Sequence, residues 1–115
     1  MKLRFHGNSL RLRLSQSEVA RLAEAGEIET RTDFPGDQTL SYSVESGDSN
    51  VVRFENDTIQ VIVARGEAKR WIETDQTGIE YQIGPLKVLI EKDFQCLHKP
   101  TPEDADAFPN PAVLP

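Results

Sequence analysis

Apolar and polar residues alternate along most of this chain, the period-2 signature of strands with one covered face. Leu3 and Phe5 open the pattern, Gly7-Asn8 marks a bend, and Leu10, Leu12 and Leu14 continue it with Arg11 and Arg13 on the other face. Further strands are predicted at Ile28 to Phe34, at Thr39 to Glu45 (Leu40, Tyr42 and Val44 inward), around Val52 and Phe54, and at Thr58 to Ala64. In the last of these, Ile59, Val61 and Val63 share one face while Ile62 and Ala64 are apolar on the other, the composition of a central strand. Ile79, Tyr81 and Ile83 make another strand. Gly84-Pro85 turns the chain into Leu86 to Phe94, where Leu86, Val88 and Ile90 alternate and Leu89 lies opposite.

Two stretches break the period. Ser15-Gln16-Ser17-Glu18 fits a capping box, in which the serine hydroxyl accepts from the N–H three residues on and the glutamate reaches back. Val19, Leu22 and Ala23 follow at helical spacing and Gly26 supplies the stop. A helix of about two and a half turns is unstable alone, so its apolar side must pack on a sheet. Arg65 to Thr74 reads as a second helix through Ala68, Trp71 and Ile72.

Strands with two isolated helices predict an α+β fold: a mainly antiparallel sheet of about eight short strands, two short helices and an irregular, proline-rich C-terminal tail. The short turns between residues 28 and 64 predict a central antiparallel meander; Asn56-Asp57 is a two-residue hairpin turn. No internal repeat is read from the sequence. Residues 1–99 are expected to form a single domain, and 100–115 hold five of the seven prolines, which disfavour regular structure there.

The 115 residues suffice for one domain and one core. A net charge of −6 argues against nucleic-acid binding. No stretch is apolar enough to span a membrane, and the N-terminus lacks the core of a signal peptide. Cys96 is the only cysteine, so no internal disulfide forms, which suits a reducing, cytoplasmic location.

The words MKLRFHGNSLRLRLSQSEV at the start and EKDFQCLHKPTPEDADAFPNP at the end resemble a family of short bacterial proteins of unknown function, with similarity over nearly the whole chain. The resemblance implies a stand-alone bacterial domain. It carries no activity, cofactor or site residue to transfer.

Three groups of residues carry candidate chemistry. Arg4, Arg11 and Arg13 fall on one strand face, where a row of guanidinium groups can hold phosphate or carboxylate; the plainer reading is a wet face or pairing within the chain. Cys96, His98, Glu103, Asp104 and Asp106 bring thiol, imidazole and carboxylates within eleven residues, a donor set that zinc accepts. Their spacing matches no established zinc pattern, and the plainer reading, a buried small cysteine, a surface histidine and a solvated acidic tail, is favoured. Cys96 and His98 as nucleophile and base lack an orienting group and an electropositive setting. The sequence thus favours a small cytoplasmic interaction or ligand-binding module with no catalysis and no cofactor. Its partner is an unknown protein or a small anionic ligand. The alternative is a metal- or thiol-dependent enzyme centred on Cys96, His98 and the tail carboxylates. Finally, the acids of the tail and the arginines of the opening strands lie at opposite ends of the chain. Together with Phe108, they predict a tail folded back on the domain, its acids near the arginines.

Overall fold

The computed structural model describes residues 1–94 and 106–109. In chain order the elements are β1 (Lys2–His6), β2 (Ser9–Leu14), α1 (Gln16–Ala25), β3 (Glu27–Phe34), β4 (Gln38–Gly47), β5 (Val51–Glu55), β6 (Thr58–Ala64), α2 (Arg65–Glu73), β7 (Gly78–Ile83) and β8 (Leu86–Lys92). The fold is α+β. Its eight strands form two mixed four-stranded sheets, ordered β1-β2-β8-β7 and β3-β4-β6-β5.

Four of the six strand pairings are antiparallel, but the two central ones, β2 with β8 and β4 with β6, are parallel. The expected central meander is therefore corrected. The strands β5 and β6 do form the predicted hairpin across Asn56-Asp57, both at positive φ (52° and 58°). It is β6 that inserts beside β4, leaving β5 at the edge. The physical reason lies in composition: Thr58–Ala64 is apolar on both faces, whereas β5 carries the exposed Arg53, Phe54 and Glu55.

Leu10, Leu12 and Leu14 of β2, Val88 and Ile90 of β8, Val44 of β4 and Val61 and Val63 of β6 are almost wholly buried. They share one core with Val19 and Leu22 of α1 and Ala68 and Trp71 of α2. The capping box of α1 forms as its sequence predicts: Glu18 N–H donates to Ser15 Oγ, and Ser15 N–H donates to Glu18 Oε1 at 2.9 Å. Gly26, at φ 78°, closes the helix with an N–H to Leu22 O bond of 2.8 Å. Trp71 is fully buried and donates Nε1–H to Thr77 O at 3.2 Å.

The chain is an internal duplication, which corrects the expectation of no repeat. Residues 3–24 lie over residues 52–73 at a constant offset of 49, with Arg4/Arg53, Phe5/Phe54, Glu18/Glu67, Arg21/Arg70 and Glu24/Glu73 identical. Strand registers repeat with them. Across the first sheet the row Leu3, Leu12, Ile90, Ile79 matches Val52, Val61, Val44, Ile28 across the second. Each half is a ββαββ unit that gives one hairpin to each sheet. The helix starts correspond too. The Met1 ammonium pairs with Glu18 in the first half; in the second, Asn50 Nδ2 donates to Glu67 Oε2 at 3.3 Å. Asn50 Oδ1 also accepts from Ala64 N–H at 2.8 Å, supplying the cap that α2 lacks in its own first turn.

The segment 106–109 lies against α1 and the end of β8. Phe108 N–H donates to Asp93 O at 2.7 Å, Gln16 Nε2 donates to Ala107 O at 2.7 Å, and Ala107 is buried. Phe108 meets Phe94 edge-on, with centroids 6.0 Å apart.

Candidate anion-binding face

Strand alternation places every other residue of β1, β2, β8 and β7 on the face of the first sheet that turns away from the core. Register then sorts these residues into rows. Lys2, Arg13, Glu91 and Gly78 form one; Arg4, Arg11, Leu89 and Glu80 the next; His6, Ser9, Lys87 and Gln82 the third. Two of the cross-strand pairs, Lys2 with Arg13 and Arg4 with Arg11, set like charges directly opposite one another, an arrangement that destabilises a sheet unless something neutralises it.

Neutralisation among the described residues is partial. Lys2 Nζ is 2.9 Å from Asp93 Oδ2, and Lys87 Nζ is 2.8 Å from Glu80 Oε1. Arg11 Nε is 2.8 Å from Glu91 Oε1, yet that buried oxygen receives no aligned hydrogen bond. The pair engages the Nε side of the guanidinium through charge. Neither Arg4 nor Arg13 forms an ion pair among the described residues. Arg4, His6, Ser9, Arg11 and Lys87 ring a depression of about 320 Å³ with Leu89 in its wall. Ser9 Oγ is occupied as a donor to His6 O at 2.7 Å. The depression therefore offers three cationic groups, Arg4, Arg11 and Lys87, with His6 beside them and one apolar contact.

The duplication supplies an internal control. In the second sheet, Val51 and Ile62 stand where Lys2 and Arg13 do, and Arg53 and Gln60 where Arg4 and Arg11 do. Gln60 Nε2 donates to Glu45 Oε2 at 2.7 Å, the counterpart of the Arg11–Glu91 pair. No opposed pair of cations occurs there; the like charges that face one another in that sheet are the acids Glu27 and Glu45. The basic face is specific to the first sheet, so the fold does not require it.

Of the three predicted arginines, Arg4 and Arg11 share the depression. Arg13 lies on the same face but lines the next hollow, with Lys2, Arg21, Asp93 and Asp106. Sequence reading missed His6 and Lys87 as neighbours of these arginines. His6 was legible from the same alternation as Arg4; Lys87 was not, because only the parallel β2·β8 pairing brings it across. Cys96, His98, Glu103 and Asp104 lie outside the described residues. Asp106 is described, and its carboxylate accepts from Ser17 N–H at 3.1 Å and from Ser17 Oγ. Hydrogen bonds from the Ser17 and Ser15 side chains hold its pKa below the ordinary carboxylate value. No group of three or more metal-ligating side chains occurs among the described residues, and no helix there is long and apolar enough to cross a membrane.

A duplicated α+β unit with one basic sheet face is the class of protein that the fold and surface define. The family model described as "Family of unknown function (DUF7009)" matches residues 1–112, and the chain belongs to that family. No curated protein and no solved structure matches it.

Proposed function

We propose that this protein is a small non-catalytic binding module whose ligand is a small molecule carrying at least two anionic oxygens. The ligand sits over Leu89 in the depression, with its oxygens on Arg4, Arg11 and Lys87. One observation carries the reading: a protein of net charge −6 sets Arg4 opposite Arg11 and Lys2 opposite Arg13 on one sheet face, and leaves Arg4 without an ion pair among the described residues. The equivalent positions of the other half show that the fold works without those charges. A depression of about 320 Å³ is at the lower end of small-molecule sites. Guanidinium pairs suit phosphate and carboxylate alike, so the shared chemistry is a bidentate oxyanion. The single cysteine supports a reducing, cytoplasmic setting.

Calorimetric titration with pyrophosphate and with citrate at low ionic strength tests the proposal and separates the two oxyanion classes. Binding of either, weakened by added salt and by at least about tenfold in Arg4→Glu or Arg11→Glu, is expected. If neither anion binds at millimolar concentration, or if both variants bind as well as the parent, the reading is wrong.

A further inference from the structure

The two opposed cation pairs of the first sheet stand on consecutive rows of one face, Lys2 opposite Arg13 and Arg4 opposite Arg11. Consecutive rows on a face are two residues apart along the strand, a separation of about 7 Å. Each pair costs the sheet stability, because like charges directly opposite one another repel. The other half of the duplication avoids both costs. Val51 and Ile62 stand in place of the first pair, and Gln60 stands in place of one arginine of the second. A single anion on Arg4 and Arg11 accounts for one pair and leaves the other unexplained.

The unexplained pair opens onto a hollow of its own. Lys2, Arg13 and Arg21 line a space of about 390 Å³, one row along from the depression. Lys2 already meets Asp93, with Nζ 2.9 Å from Oδ2. Arg13 forms no ion pair among the described residues. Carboxylates bound this hollow: Asp93 and Asp106 stand in its wall, and Asp106 is held there by Ser17 N–H at 3.1 Å and by Ser17 Oγ. Along the strands, the face thus presents cations over two rows and acids beyond them.

We infer that the ligand of this face is a linear molecule with two separate anionic groups, one for each row. The inference rests on the anion-binding reading above and extends it. One group sits over Leu89 on Arg4, Arg11 and Lys87. The other lies about 7 Å further along the strands, on Arg13 with Lys2 beside it. The spacer runs over the strip between the two rows. Asp93 and Asp106 set the upper length, since a longer ligand drives its second anion onto carboxylates. Arg13 is therefore the residue that reads length. Once the first anion is seated, the second contact is intramolecular, so a spacer that reaches Arg13 raises affinity without changing the first contact.

Calorimetric titration with methylene-, butane- and decane-bisphosphonate at low ionic strength tests the spacing, because only the spacer changes along the series. The butane compound is expected to bind at least about fivefold more tightly than the methylene compound, with no further gain for the decane compound. That preference should vanish in Arg13→Gln, and equally in Arg13→Ile, which copies the residue at the equivalent place of the other half. Circular dichroism checks that both variants keep the parent fold. The inference is overturned if the methylene compound binds and the butane compound gains nothing, if the decane compound binds most tightly, or if both variants keep the preference of the parent. The first of these results leaves the anion-binding reading standing, whereas binding of none of the three compounds overturns both.

Discussion

At the scale of single residues, Lys92 is a lysine held almost wholly out of water. It ends β8, is only 6% exposed, and its Nζ makes one hydrogen bond, to Thr74 O at 2.7 Å. The rings of Trp71 and Phe108 lie 5.9 and 5.3 Å from the ammonium and supply cation–π attraction in place of water. Burial pushes its pKa below the ordinary lysine value of 10.5, with the charge of Asp75 opposing. A base whose pKa is lowered by folding is charged less readily in the folded state. It therefore costs stability at neutral pH, and that cost fades as pH rises through the folded pKa toward the unfolded value. Lys92→Met keeps the stem and removes the charge. The variant should melt no lower than the parent at pH 7, and should lose the relative gain that the parent shows as pH rises toward 10.5. A lower melting temperature at pH 7 would show that the two rings and the carbonyl more than repay the desolvation.

At the scale of elements, local signals were legible and distant partners were not. The capping box of α1 involves residues three apart, so Ser15-Gln16-Ser17-Glu18 announced it. Burial raises the Glu18 pKa, but the N-terminal ammonium and the Ser15 N–H lower it further, to a net value below 4.5. The stabilisation it gives is therefore complete above that value and is lost as pH falls through the folded pKa. The start of α2 gave no such signal, because its cap is Asn50, fourteen residues before the Ala64 N–H that it accepts. Asn50→Ala should cost about 1 kcal/mol in urea unfolding, as much as Ser15→Ala in α1. No loss would mean that water caps the helix equally well. Strand facing was legible in the same way: alternation put Leu12, Val44, Val61 and Ile90 inside, where they are. Neighbours were not, since a side-chain period of two fixes the face and leaves the partner strand open. That is why the parallel pairings, and Lys87 beside Arg11, came only from the structure. The repeat escaped for a related reason. Equivalent core positions hold different residues, Leu12 and Val61 or Leu22 and Trp71, so the pattern recurs while the letters change.

At the scale of the whole molecule, the segment 106–109 closes the side of the core that Lys92 and Trp71 leave open. Its bonds reach β8 through Phe108 N–H and α1 through Ala107 O and Asp106. The acidic residue meets Ser17 at the helix N-terminus, where a negative charge also suits the dipole. Phe108 is partly buried against the core cluster. Phe108→Ala should therefore lower stability by about 1 kcal/mol or more, roughly 4–8 °C in Tm for a domain of this size. An unchanged Tm would show that the segment rests on the surface without contributing to it.

The parallel pairs also decide how this chain comes together in time. Each half owns two hairpins, but the inner strand of every hairpin completes its pairing with a strand from the other half: β2 with β8, β4 with β6. Local hairpins form quickly and early, yet none of them is a finished sheet. The first sheet is sealed only when β8 reaches β2, some seventy residues away in sequence, so the chain must close its largest loop before that sheet can form. The two halves are clasped like interlaced fingers, and neither can let go alone.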